Sequence, residues 1–302
     1  MKSSTMNLLL KAAITTAICF QAWASPALAQ GYSQAIPASY RVLLNVTYLK
    51  SGVWEGKLDI YSRIDSSAPQ PTLVFIHGGG SLVGSKESAL FSLLPYLEWG
   101  WNVVNVEHRL AGVTLAPAAL QNCLCALRWV TDHAREYGVD PTKLVVSGTS
   151  SGGWFAVAAG LGVRPNGWGE ACPGAEDPKV SAIVNWYGNW DLADVLEGPN
   201  AKPYAPEWVR NLPNPLDVAR SLSPLPLRRS ELPGVISIHG DADPTVPYTQ
   251  SIRLHQVLRT AGVPEEMITI PGGKHGGFPR EENRRAFAAI EAFLTRLGIQ
   301  AK

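Results

Sequence analysis

Lys143-Leu144-Val145-Val146-Ser147-Gly148-Thr149-Ser150-Ser151-Gly152-Gly153-Trp154-Phe155-Ala156-Val157-Ala158-Ala159 is the stretch on which the fold depends. Its first five residues read as a short buried strand and its last seven as a helix. Between them lies a Gly-x-Ser-x-Gly pentad centred on Ser150. A strand, a sharp glycine-bracketed turn with a central serine, and a helix form the setting of a nucleophile elbow. At so tight a turn, a Cβ at Gly148 or Gly152 is expected to clash, and the strained backbone pushes the serine Oγ outward. A plain Ser/Gly-rich connection accounts for the same residues without chemistry, because hydroxyl side chains are common at turns and helix N-caps. Ser147 and Ser151 do not sit between glycines at the required offsets, so Ser150 is the serine to follow. The rest of the chain decides between the two readings.

Upstream, Thr72-Leu73-Val74-Phe75-Ile76 is a continuous apolar run bounded by Pro71 and His77-Gly78, as a strand buried on both faces requires. Residues 102–106, 180–186, 235–239 and 267–270 read the same way. Helical spacing over 117–137, 249–260 and 281–297 fills the intervals between them. Two antiparallel strands are expected earlier, over 42–48 and 57–61, joined at Ser51-Gly52. Alternating strands and amphipathic helices predict an α/β fold, a mainly parallel sheet flanked by helices on both faces. Residues 190–233 are too long and too rich in proline for a simple crossover. They predict a small cap-like insertion of short helices near the site.

The chain has 302 residues and a formal net charge of +1. Lys2, Lys11, an apolar run over 12–24 and the small-x-small pattern Ala27-Leu28-Ala29 predict a signal peptide over residues 1–29. Cleavage after Ala29 leaves residues 30–302 as one catalytic domain, exported to the periplasm or the medium. The apolar run is short for a membrane span, and no basic stripe suggests nucleic acid as a partner. Outside the leader the cysteines are Cys123, Cys125 and Cys172. Cys123 and Cys125 point to different sides of one predicted helix, so they are not expected to bond each other. A bond from Cys172 to one of them and three buried free thiols are both open. No His or Cys stands at ligand spacing, so neither a metal nor another cofactor is expected.

An activated serine needs a base, an acid that orients the base, and donors for an oxyanion. His275 lies in Gly272-Gly273-Lys274-His275-Gly276-Gly277, just past the last predicted strand. Loops at the carboxyl ends of a parallel sheet are where ligand chemistry collects. The other histidines read differently. His133 and His255 fall inside predicted helices, and His77 and His239 at strand ends, where they fix loop geometry. Asp241 and Asp243 both follow the strand ending at His239-Gly240. Asp241 suits a turn cap and Asp243 the orienting acid. The three glycines of His77-Gly78-Gly79-Gly80 let backbone N–H groups approach a substrate oxygen. The expected donors are Gly79, Gly80 and Ser151, with Gly78 as the alternative to Gly80. A phosphate-binding loop is the other use of such glycines, but neither of its fingerprints is present.

His77-Gly78-Gly79-Gly80, Glu107-His108-Arg109-Leu110, Gly148-Thr149-Ser150-Ser151-Gly152-Gly153, His239-Gly240-Asp241-Ala242-Asp243 and His275-Gly276 follow in order. Together they resemble the hormone-sensitive-lipase-like carboxylesterase group of the α/β-hydrolase superfamily, in its exported branch. The resemblance implies Ser150 as nucleophile, Asp243 as acid and His275 as base, acting through an acyl-enzyme. The family usually has Tyr where His108 stands and Asp-Ser-Ala where Thr149-Ser150-Ser151 stands. A small-molecule or saccharide ester, with a short acyl or an aromatic group, is the expected substrate. A prolyl-oligopeptidase-like peptidase or amidase is the nearest competing reading, and a non-catalytic binding protein on the same fold is the more distant one. Trp154, Trp168, Trp186, Tyr187, Trp190 and Trp208 are available to line a pocket, though core burial explains each equally well. Of these, Trp154, Tyr187 and Trp190 are expected to contact substrate.

Overall fold

The computed structural model describes residues 39–172, 174, 177–224 and 231–301. The expected leader lies outside them. Eight strands, β1 (Tyr40–Ser51), β2 (Trp54–Arg63), β3 (Gln70–Ile76), β4 (Asn102–Val106), β5 (Val139–Thr149), β6 (Ala182–Trp186), β7 (Gly234–Gly240) and β8 (Glu265–Ile270), form one sheet. Their spatial order is β1-β2-β4-β3-β5-β6-β7-β8. β1 and β2 make an antiparallel hairpin, with Gly52 at φ +60° in its turn. β2 runs antiparallel to β4, and every later pairing is parallel. The chain leaves β3 toward β4 on one side and leaves β5 toward β6 on the other. Connections that diverge from neighbouring parallel strands open a crevice at their carboxyl ends, where α/β sheets bind ligands.

The helices are α1 (Leu90–Glu98), α2 (Ala116–Asp132), α3 (Ala134–Tyr137), α4 (Ser151–Gly160), α5 (Trp168–Ala171), α6 (Leu192–Leu196), α7 (Pro206–Val209), α8 (Pro215–Ser221), α9 (Thr249–Thr260) and α10 (Arg280–Arg296). Side chains alternate between the faces of a strand. Val74 and Ile76 of β3 therefore join Leu120, Leu124 and Leu127 of α2, Phe155 and Val157 of α4, and Leu254 and Leu258 of α9. Leu73 and Phe75 enter the opposite core with Leu93, Tyr96 and Leu97 of α1 and Ile290, Phe293 and Leu294 of α10. All seven β3 residues are buried, which is why its sequence shows no polar alternation. Each such Val, Ile or Phe contributes on the order of 1.5–3 kcal/mol by leaving water.

Two elements differ from expectation. α1 carries Pro95 in its interior, which hides its helical pattern from the sequence. The helix expected over 117–137 is broken at His133, whose ring stacks on Trp129 at 4.0 Å and whose Nδ1 bonds the Trp129 carbonyl at 2.8 Å. α3 follows, and Gly138 at φ +63° closes it. The segment over 190–233, expected as an insertion, holds α6, α7 and α8 among its described residues, with proline in the first turn of the last two, where its missing N–H costs nothing.

Cys125 and Cys172 form a disulfide that fastens α2 to the end of α5, leaving Cys123 buried with a free thiol. The bond closes a loop of sequence separation 47. Replacing both partners with alanine should lower unfolding stability by about 2–4 kcal/mol, read from urea midpoints. In a protein shortened to residues 30–302, a thiol reagent should titrate a single cysteine, and only after denaturation. Three titratable thiols would contradict the pairing.

Candidate functional site

Ser150 sits between β5 and α4 with φ +55° and ψ −120°, a backbone conformation outside the ordinary regions for a residue with a side chain. The neighbouring glycines make it attainable. A Cβ on Gly152 would fall within 3.0 Å of the Ile76 and His77 carbonyl groups, and one on Gly148 would meet the backbone of Gly152 and the Ile76 carbonyl. α4 thus packs its first turn directly against the end of β3. The steric requirement expected at both glycines is present.

Five of the six parallel strands, β3, β5, β6, β7 and β8, end around this turn, and the segments that follow them build the site. From β8, His275 reaches back so that Nε2 lies 2.8 Å from Ser150 Oγ. From β7, Asp243 Oδ2 lies 2.7 Å from His275 Nδ1. Asp243 is fully buried at its side chain. Its Oδ1 accepts the Thr245 and Val246 N–H groups at 2.8 and 3.0 Å. Its Oδ2 also faces His239 Nε2 at 3.3 Å. His239 Nε2 has a second acceptor, the Val246 carbonyl, at 3.1 Å, while Nδ1 lies 2.7 Å from Ser251 Oγ. With acceptors on both approaches, Nε2 carries the proton and Nδ1 accepts from the serine hydroxyl. Burial would raise the Asp243 carboxyl, but the hydrogen bonds from His239 and His275 outweigh it and hold the group far below the usual carboxylate range. Asp241 instead caps the next turn, accepting the Gly272 N–H at 2.7 Å.

β3 leads into the glycine loop. Gly79 and Gly80 have φ +114° and +63°, and a Cβ on Gly79 would fall on the Val83 carbonyl. Every carbonyl along this loop has a partner. His77 Nδ1 lies 2.8 Å from Gly78 O, and Leu82 and Val83 N–H donate to Gly79 O at 3.0 and 3.1 Å. The indole of Trp208 in α7 donates to Gly80 O at 2.6 Å. A trans peptide points its N–H opposite its carbonyl, so the contacts to the Gly78 and Gly79 carbonyls fix the directions of the Gly79 and Gly80 N–H groups, and the contact to Gly80 O fixes that of the Ser81 N–H. Among the described residues no group accepts from the N–H of Gly79, Gly80 or Ser151. Those three residues, with Gly78, Ser150 and His275, line a cavity of about 440 Å³.

A polar base supports the loop. Lys86 makes a buried ion pair with Asp59 of β2 at 2.9 Å, and its backbone N–H donates to Glu107 at 2.8 Å. Glu107 Oε1 lies 3.4 Å from His77 Nε2. Burial opposes ionisation of Glu107, but His77 and the Lys86 N–H together keep it below the usual range. The His77 ring stacks on His108 at 4.3 Å.

Of the three aromatic residues expected to contact substrate, only Tyr187 lines the cavity, its ring centroid 4.9 Å from that of His275 in an edge-to-face pair. Trp154 and Trp190 are a correction. Both are almost wholly buried in the core around α4, the first stacked beneath Trp208 at 5.8 Å and the second beside Gln250, which accepts its backbone N–H. In their place the cavity wall holds Ser88, Asn189, Tyr204, Trp208 and Thr245. Tyr204 and Trp208 come from the insertion, where aromatic content was the visible signal. Nothing in the sequence distinguishes Asn189 or Thr245.

Residues 58–258 match the BD-FAE family model. The chain belongs to the BD-FAE family. This family lies among the hormone-sensitive-lipase-like α/β-hydrolases, as the motifs implied. Esterase LipQ of Mycobacterium tuberculosis is 28% identical over 254 residues, covering 81% of this chain. The chain spans 56–59% of the length of LipQ and two further mycobacterial relatives. A carbohydrate esterase from gut microbiota superposes with a TM-score of 0.71 at 26% identity, covering 86% of this BD-FAE chain and 96% of the other. Esterase 2 of Thermogutta terrifontis with bound propionate gives 0.71 at 26%, covering 90% and 98%.

Burial, reinforced by the charge of neighbouring His77, pushes the His108 imidazole down to about 4. In the unfolded chain it returns to the ordinary value of about 6.5. Unfolding therefore takes up a proton between those two pH values. Stability is full above about pH 6.5 and falls as pH drops toward 4, by about 3 kcal/mol at most. The His108→Tyr variant is expected to lose less of its thermal midpoint across that window than the parent, measured by calorimetry. Equal losses would contradict the assignment.

Proposed function

We propose that the protein is an exported serine esterase that hydrolyses carboxylic esters through an acyl-enzyme on Ser150. The observation that carries this reading is the unbroken contact from Ser150 Oγ to His275 Nε2 at 2.8 Å and from His275 Nδ1 to Asp243 Oδ2 at 2.7 Å. Oγ attacks the ester carbonyl as His275 takes its proton. Asp243 holds the tautomer that leaves Nε2 free to accept, and its charge stabilises the imidazolium. The N–H groups of Gly79, Gly80 and Ser151 receive the developing oxyanion, where each donor is typically worth about 10²–10³ in rate. The alcohol leaves with the proton from His275, and water then deacylates Ser150 by the same route.

For substrate we infer short-acyl esters of hydroxyl-bearing or aromatic alcohols. A cavity of about 440 Å³ with Asn189, Thr245 and Ser88 beside Tyr187, Tyr204 and Trp208 supports a small acyl group and a mixed polar and aromatic alcohol. The propionate of the Thermogutta terrifontis esterase and the carbohydrate esterase relative point the same way. Export rests on the leader motif, and the Cys125–Cys172 disulfide suits an oxidising compartment.

Ser150→Ala should lower turnover of p-nitrophenyl acetate by on the order of 10⁴-fold or more, and Asp243→Asn by about 10³–10⁴-fold through the wrong imidazole tautomer. Parental turnover by Ser150→Ala would sink the reading. A panel of acetylated sugars, feruloyl esters and longer p-nitrophenyl esters tests the substrate class. Faster cleavage of matched anilides than of esters would move the assignment to an amidase.

A further inference from the structure

The peptide joining Gly80 to Ser81 is held on both sides by side chains. Its carbonyl accepts the Trp208 indole N–H at 2.6 Å, and its N–H donates to Ser151 Oγ at 3.0 Å. Trp208 belongs to the insertion and lies flat against Trp154 of α4, with ring planes 7° apart. Ser151 follows the nucleophile directly and is 1% exposed. Ser81 itself is held at φ +55°, with its carbonyl accepting the Ala111 N–H at 2.5 Å. The Ser81 N–H is thereby occupied and cannot serve as an oxyanion donor. The N–H groups of Gly79 and Gly80, immediately upstream, have no acceptor among the described residues, and both residues line the cavity.

We propose that the Ser151 hydroxyl and the Trp208 indole are positioning residues, which clamp the Gly80–Ser81 peptide from opposite sides and so hold the Gly79 and Gly80 N–H groups in register with Ser150. The clamp gives Ser151 two roles. Its backbone N–H faces the oxyanion, and its side chain ties the elbow to the glycine loop. It also gives the insertion a part in catalysis beyond enclosing substrate, because α7 supplies one jaw. Without the clamp, a loop carrying three consecutive glycines has little intrinsic preference for one orientation, and peptide rotation would turn a donor out of the cavity. The interaction matters where charge develops on the substrate oxygen. It therefore acts on the transition state rather than on ground-state binding.

The inference rests on Ser150 being the nucleophile, so the experiment separates the two. A fluorophosphonate probe is applied to the wild-type protein, and labelling is mapped by mass spectrometry. Absence of label on Ser150 would overturn that reading and the clamp with it. Ser151→Ala and Trp208→Phe, singly and together, are then assayed with p-nitrophenyl acetate and with phenylboronic acid as a tetrahedral-adduct inhibitor. Trp208→Phe keeps a ring against Trp154 and removes only the donor, and circular dichroism verifies that each variant is folded at the assay temperature. Each single variant should lose about ten-fold in kcat with KM nearly unchanged, below the cost of removing a whole donor. Inhibition by the boronic acid should weaken in parallel. Because both side chains hold one peptide, the double variant should fall only slightly below either single one, not to the product of the two losses. Labelled Ser150 together with wild-type kcat and inhibition in the variants overturns the clamp alone. A change confined to KM, or multiplicative losses in the double variant, overturns it as well.

Discussion

The backbone of α4 approaches the end of β3 so closely that no side chain fits between them. Gly152 lies against the Ile76 and His77 carbonyl groups, and Gly148 is enclosed by Gly152 and Ile76. This contact decides the rest. It forces Ser150 into φ +55°, which turns its side chain out of the strand-to-helix path. It also brings the elbow beside the glycine loop that leaves β3. Because neighbouring parallel strands end level with one another, the loops after β6, β7 and β8 converge on the same point. The strain at Ser150 is sustained by burial on both sides of the sheet, where β3 and β5 are fixed by two separate cores.

Electrostatics then removes the remaining freedom. Asp243 has a hydrogen-bonding partner on each oxygen, two of them backbone N–H groups that no side-chain motion can withdraw. A carboxylate held this way stays ionised despite burial, and it presents one lone pair to His275. Beneath the glycine loop, the Lys86–Asp59 pair does not recommend itself as a source of stability, since burying two charges costs about what their attraction returns. Its effect is directional. Lys86 is tied through its side chain to β2 and through its backbone to Glu107 and Asn105. The loop is thereby held to the sheet by interactions that a slide of one residue would leave buried and unpaired.

The parts legible in the sequence were those written in local patterns. Buried strands appear as apolar runs, the elbow as a pentad, and His275 and Asp243 as polar residues beyond strand ends. α9 and β4 fall where their periodicity puts them. Long-range packing was not legible. Trp154 and Trp190 differ from Tyr187 only in where the chain carries them, and the first two are covered by the insertion and by α9. Trp208 contacts a carbonyl 128 residues away, a relation that no local pattern records. The choice of Cys125 over Cys123 as the partner of Cys172 depends on which side of α2 faces α5. α1 was hidden because Pro95 argues locally against a helix that its buried face, Leu93, Tyr96 and Leu97, nonetheless stabilises.

A glycine loop solves one problem and creates another. Only glycine permits the φ values of Gly79 and Gly80 and the close approach of Gly79 to Val83. The same freedom leaves each peptide able to rotate, which would spoil the set of oxyanion donors proposed above. The fold answers by satisfying the carbonyls rather than the donors. His77 and the Leu82 and Val83 N–H groups take the Gly78 and Gly79 carbonyls from outside the cavity. The planarity of the peptide then directs the N–H groups without any contact to them. Donors left unpaired in this way need no reorganisation as charge develops, which is the condition under which electrostatic stabilisation is most effective.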